Sequence, residues 1–419
     1  MNEARAHQLA PCRTVVTSFN PRKTPTSGDY FDDGDWVLSV LSSPTYISCA
    51  QSNGEIQVYD PRRLHVVYSF PRVHDGMITD LVGAPPQQNA DHILVSSGTD
   101  GRVCVLDLRQ QQQQHVSFSL PHSHEQALSV SMGYDGNLAA VGSSKAKIHF
   151  FDLRQASAPL GSYVNSHTDE VTRVRFQHAP EYNFSASSTT STAGCLLSGS
   201  EDGLACVFDT TQPSEEAALK SVMNAQTSLR HVGFFGPNLE GVYCLTGSET
   251  LSLWNWDAAQ CLADCSDIRQ TLGVDYLTNA HWDHRRNELA ILAGCANGDA
   301  CLSAMNVTQS NPTKLHTSHR LAGGHRGVVR DWCPISAGLL VSVGEDARMC
   351  EWNLTGRQSN ATGKVSVTQQ QQQQQQTVQR RGSGASQQQQ QQPGSLDSSR
   401  RNGNGPLRRQ RNKRTVNPY

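Results

Sequence analysis

The feature that most restricts how this chain folds is a motif that returns seven times at nearly the same interval. Short apolar segments close with an acid or amide at Asp60, Asp107, Asp152, Asp209, Asp257, Asn306 and Asn353, leaving 47, 45, 57, 48, 49 and 47 residues between neighbours. Spacing this regular calls for one structural unit repeated along the chain. Within the units apolar and polar residues alternate, as in VTRVRF from Val171 to Phe176, and the runs are bounded by Asn53-Gly54, Asp100-Gly101, Asp135-Gly136, Asp202-Gly203 and Asn297-Gly298. Such pairs supply the positive φ that two-residue hairpins require. No segment between Met1 and Leu354 shows a helical period with caps.

Four short strands in a unit of about 45 residues make a propeller blade. The expected fold is therefore all-β: a single seven-bladed β-propeller over residues 1–354. The chain turns Gln-rich directly after Asn353 and has no outer strand left for its last blade, and an open edge there would invite aggregation. RTVVTSF, Arg13 to Phe19, is the natural donor of that strand. Gln110–Gln114 and the stretch 185–194 read as surface insertions, the second accounting for the 57-residue interval.

Further residues recur within the units. His167, Asp202 and Phe208-Asp209 recur in the same order as His325, Asp346 and Trp352-Asn353, with the same six residues from Asp to aromatic, and His74, Asp100 and Leu106-Asp107 follow that order too. A His that opens the unit, an aromatic-Asp pair that closes it and an Asp six positions before the aromatic resemble the WD-repeat pattern, over Val37 to Asn353. The resemblance implies that these His, Asp and Trp352 side chains form a hydrogen-bonded network of Asp, His, a strand Ser or Thr and the Trp indole. His167 and Asp169 then belong to scaffold, with no nucleophile beside them to serve. Tyr59, Leu106, Phe151 and Phe208 stand where the pattern has Trp, and Lys145 where the third unit would have Asp. At those blades the network is expected to be incomplete and packing to replace it.

From Thr355 onward the chain holds eleven Lys or Arg against Asp397, so the net charge of −2 divides into +10 there and −12 in the remainder. Residues 355–419, with two glutamine runs, are expected to be a disordered Gln/Arg-rich tail. Its cluster Arg408, Arg409, Arg411, Lys413 and Arg414 reads as a nuclear import signal or a weak nucleic-acid contact. The start of the chain has no apolar signal region and no apolar run approaches the length of a membrane span. The expected setting is intracellular, in the nucleus, the cytoplasm or both.

Twelve cysteines without paired spacing read as thiols in a reducing compartment, and Cys261 with Cys265 lacks the second pair of a zinc site. The sequence implies no metal, no cofactor and no catalytic residue. HWDH, His281 to His284, is the tightest His and Asp cluster; it lies in the entry strand or loop of the sixth unit and reads as a solvated loop in preference to a metal or acid-base pair. Arg62, Arg109 and Arg154 each stand two residues after a closing Asp. This resembles a box in propellers that dock on the adaptor of cullin-based ubiquitin ligases; the alternative is pairing with acids of a neighbouring blade. The expected function is a non-catalytic scaffold for other proteins. A substrate receptor for such a ligase and an enzyme at the mouth of a central channel are the alternatives.

Overall fold

The computed structural model describes residues 6–17, 35–85, 91–110, 115–133, 136–155, 158–178, 194–308, 311–312 and 315–355. The described chain is all-β, with two single helical turns, Glu215–Ala218 and Arg269–Leu272. Its strands form seven antiparallel meanders, the first from Val37–Ser42 at the centre through Ile47–Gln51 and Ile56–Tyr59 to Val66–Phe70 at the rim. The first strand of each blade packs on those of its two neighbours, and that of blade seven, Val329–Ser336, returns to Val37–Ser42, so the ring closes.

Each sheet is covered by a sheet on either side, which is why second strands such as Ile47–Gln51 and Gly241–Thr246 are buried along their whole length instead of alternating. The apolar residues gather into seven clusters, one at each interface between adjacent blades. Between blades one and two, for example, Ile56, Val58 and Phe70 meet Ile78, Leu94 and Leu106. Each such side chain contributes about 2 kcal/mol when fully buried.

The turn between second and third strands repeats a residue with positive φ: Gly54, Gly101, Gly203 and Gly298 in four blades, but Ala146, Glu249 and Ala347 in blades three, five and seven. Counted from this turn, the closing pair is Trp254-Asn255 in blade five and Ser303-Ala304 in blade six. Both lie two residues before the Asp257 and Asn306 that the sequence spacing picks out. Asp135 and the stretch 179–193 lie outside the described residues.

Blade seven takes its outer strand from the other end of the chain. Arg13–Val16 runs antiparallel to Arg348–Asn353, with Val15 opposite Met349, and the Cys12 and Thr17 amides extend the ladder at both ends. Phe19 lies outside the described residues. The same segment does a second thing that the sequence does not announce: His7–Leu9 adds a parallel strand to the rim of blade six, pairing with His319–Leu321. Arg13 then reaches the Glu351 carboxylate and, at 3.3 Å, the Pro61 carbonyl, with a further contact to the Arg62 carbonyl. One short stretch thus ties blades six, seven and one together.

Candidate functional site

In a four-stranded meander the connections between blades and the turns between second and third strands emerge on one face. The other turns emerge on the opposite face. The recurring imidazoles lie near the first face but inside the blades. His325 Nδ1 is 3.1 Å from Asp346, its Nε2 is 2.8 Å from Ser342 Oγ, and the Trp352 indole donates to the same hydroxyl at 2.8 Å. His74 bridges Asp100 and Ser96 at 2.9 Å each; His167 bridges Asp202 at 3.1 Å and Ser198 at 2.7 Å. In those two blades Leu106 and Phe208 have no N–H to donate, so the chain of bonds stops at the serine. All three imidazoles are buried. Burial lowers the His167 pKa against the pull of Asp202. For His325 burial acts in the same direction, but Cys350 and Asp346 raise it to about 10.

Blade three departs from the incomplete network expected for it. Glu125, on the entry connection, accepts from Ser143 at 2.6 Å and meets His149 Nε2 at 2.9 Å, while His149 Nδ1 is 2.7 Å from Ser162. Lys145 joins this network through its backbone amide, which donates to Ser143 Oγ at 3.3 Å. Counted from the turn, His149 occupies the position of Cys104, Cys206, Cys301 and Cys350, which are buried free thiols. Ser143 stands where blade two has Gly98, beside which a Cβ would strike the His74 ring. The imidazole has moved from the entry loop to the third strand, and the carboxylate from the turn to the entry loop.

A second constellation lines the channel. Each first strand has a β-bulge near its start, after the first residue in six blades and after the second in blade six, and the residue beyond the bulge is polar in all seven: Ser39, Asp80, Ser129, Arg173, His231, Asn279 and Asp331. Asp80 accepts from Ser129 Oγ at 2.6 Å, the Val130 amide at 3.2 Å and Arg175 at 2.8 Å, with Arg173 at 3.2 Å, and so stitches blades two, three and four. Burial alone would raise its pKa, but Arg175 and Arg173 hold the carboxyl far below its usual range. Asp331 accepts from Ser39 Oγ and the Val40 amide at 3.0 Å and from Asn279 at 3.2 Å, joining blades one, six and seven. Burial, and then Arg173 and Arg175, push His231 of blade five well below the usual imidazole value. These residues escaped the reading of the sequence, although aligning the units on the start of each first strand would have exposed the column.

No family model matches the chain. Among curated proteins it is 28% identical to the WD repeat-containing protein GTS1 of Arabidopsis thaliana, over 76% of this chain and 81% of that one. It is 26% identical to the WD repeat-containing protein 89 homolog of Dictyostelium discoideum, over 77% and 83%. Both of these relatives are WD-repeat proteins, and the chain is similar to them over most of its length. A chain in the crystal structure of a mitotic checkpoint complex shares the fold, with a TM-score of 0.62 at 15% identity over 84% of this chain and 94% of that one. WD-repeat relatives and a propeller fold support a protein-interaction scaffold in general terms.

On the opposite face of the ring, Arg109 and Arg154 leave the third strands of blades two and three in one geometry. Each guanidinium forks onto the Asp two residues before it, Arg109 at 3.0 and 2.8 Å from Asp107 and Arg154 at 2.9 and 2.7 Å from Asp152, with two thirds of the side chain exposed. The alternative of pairing with a neighbouring blade is replaced by pairing within the motif, because the turn brings position i+2 back over position i. The Arg154 fork lowers the Asp152 pKa to about 2. Arg62 differs: its amide donates to Asp60 and its carbonyl receives Arg13. HWDH is no solvated loop, since His281 to Asp283 end the first strand of blade six. There His281 contacts the Trp332 carbonyl at 2.8 Å and the Trp332 ring edge-on. Arg408, Arg409, Arg411, Lys413 and Arg414 lie outside the described residues.

Proposed function

We propose that this chain is a non-catalytic scaffold on which other proteins assemble in a nuclear or nucleocytoplasmic complex. One observation carries this reading: the recurrent titratable groups are spent inside the fold. His74, His167 and His325 bridge carboxylates to serines within the blades, and Asp80 and Asp331 are saturated by donors in the channel. A general base needs a free lone pair facing a substrate, and these groups have theirs committed. What differs from blade to blade and faces outward is the loop surface of the two faces, the material of recognition. The Arg408–Arg414 cluster adds a cationic segment suited to an import receptor or to weak contact with a polyanion. Mass spectrometry of complexes recovered with the full chain and with a chain ending at Thr368 tests the division of labour. An unchanged partner set with nuclear signal lost supports it; loss of all partners with the tail would transfer recognition to the tail.

A narrower reading, a substrate receptor of a cullin-based ubiquitin ligase, is favoured by the two exposed Arg forks on adjacent blades. Its test is co-purification of the ligase adaptor. Arg109→Ala with Arg154→Ala abolishes that co-purification if the forks are the docking point, and leaves it intact if they are not.

A further inference from the structure

We infer that a cleft at the channel mouth, between blades five, six and seven, receives an acidic side chain of a partner polypeptide. This rests on the scaffold reading and names the chemistry of one docking point. The cleft encloses about 410 Å³ and is lined by Arg230, His231, Glu249, Tyr276, Val329 and Arg330 among others. It opens on the face that carries the connections between blades.

The residue inside the bulge of each first strand shows why charge collects there. In blades two, four and six it is a threonine whose hydroxyl donates to the next blade: Thr79 to the Ala127 carbonyl, Thr172 to Leu229 and Thr278 to Val329. In blades five and seven it is Arg230 and Arg330, which flank blade six from either side with about half of each side chain exposed, 51% and 44%. Arg230 is aimed by Glu249, whose one oxygen is 3.0 Å from Nη1 and whose other accepts the Leu277 amide at 2.6 Å. Glu249 holds this place at a φ of 60°, where four other blades have glycine. A side chain in that conformation is strained, and such strain collects at sites of function. Arg330 is tethered to Glu345, and its guanidinium lies 5.8 Å from the centre of the exposed Trp36 ring.

In a body that carries −12, each arginine of this cleft is met by one glutamate, Arg230 through Nη1 by Glu249 and Arg330 through Nε and Nη2 by Glu345, and each keeps further guanidinium N–H groups on a side chain about half exposed. A carboxylate entering between them gains the charge-assisted, forked contact that guanidinium favours. Trp36, exposed and beside Arg330, offers apolar cover to the residue next to it.

The test is fluorescence anisotropy of labelled hexaglutamate with the full chain, against hexaglutamine. Hexaglutamate binds and hexaglutamine does not. Arg230→Gln with Arg330→Gln weakens binding by about tenfold or more, and Glu249→Gln, which frees Arg230, strengthens it several-fold, roughly the range of a charged contact. Arg330→Gln alone carries the test if the double variant fails to fold. A full chain with Arg408, Arg409, Arg411, Lys413 and Arg414 changed to Gln binds as before. The proposal falls if hexaglutamate does not bind, if the Arg variants bind it equally, or if neutralising the tail removes the binding. It falls also if millimolar inorganic phosphate displaces the peptide completely, which marks a site for small anions. Partners recovered unchanged by the Arg variants would overturn this docking point alone and leave the scaffold reading standing.

Discussion

Blades three and seven brace the same corner of the sheet with different wiring. In blade seven the imidazole comes from the entry loop, the carboxylate from the turn, and Ser342 joins His325 to Trp352. In blade three the imidazole comes from the third strand, the carboxylate from the entry loop, and Phe151 contributes packing against Phe118 in place of an indole bond. Blades three and seven thus each tie the entry loop to the third strand through a polar strut, and which residue supplies which group is negotiable; in blade three one buried Glu125 oxygen stays without a partner. The two also differ in closure. Blade three is one continuous stretch from Ala127 to Tyr163, whereas blade seven borrows Arg13–Val16.

The sharpest way to break the comparison is to remove residues 1–17. Blade seven loses its rim, blade six its parallel strand and blade one the Arg13 contact, so the chain is expected to aggregate or unfold on size-exclusion chromatography. Removing residues 1–5 should leave it unaffected. Next in size are the struts. Asp346→Ala and Glu125→Ala each strand a buried imidazole and should cost about 3 kcal/mol in thermal or urea unfolding. A cost under about 1 kcal/mol for Glu125→Ala would make the blade-three network incidental.

Acidity separates the two struts further. Burial raises the carboxyl pKa values of Glu125 and Asp346, but bonds from Ser143 and His149 to the one, and from His325 to the other, leave both below their ordinary values. Their contributions are present above about pH 4.5 and are lost as the pH falls. The penalty of Glu125→Gln should accordingly shrink in acid. His325, raised to about 10, adds a second window: its contribution is complete below about pH 6.5 and fades as the pH climbs through 10. Stability curves should show the cost of His325→Gln narrowing between pH 7 and 10, while that of Glu125→Gln stays level. The smallest expected effect is Trp352→Phe, which turns blade seven into a copy of blade four and costs about 1 kcal/mol for the lost indole bond plus the smaller ring.

Much of the ring was legible before the structure. His74, His167 and His325 announce their struts because partner and spacing recur together, and RTVVTSF announces itself because blade seven lacks a rim. The blade-three strut was hidden because a motif ties residue type to place, and there both have moved. The Arg109 and Arg154 forks were hidden because a turn, unlike a strand, folds position i+2 onto position i. The cleft was hidden because Arg230 and Arg330 stand 100 residues apart in sequence and are brought to one cleft only by the side-by-side packing of blades five, six and seven.

Seven units, their stranded character and their turns were determined by the sequence alone, since alternation and positive-φ positions are preferences of the backbone over a few residues. Tertiary structure decided the rest: the polar ring from Ser39 to Asp331, the swapped brace of blade three and the arginines at the channel mouth. A bulge of one residue sets the phase of every first strand, and a slip of one would turn each of those side chains from the channel into the sheet interface.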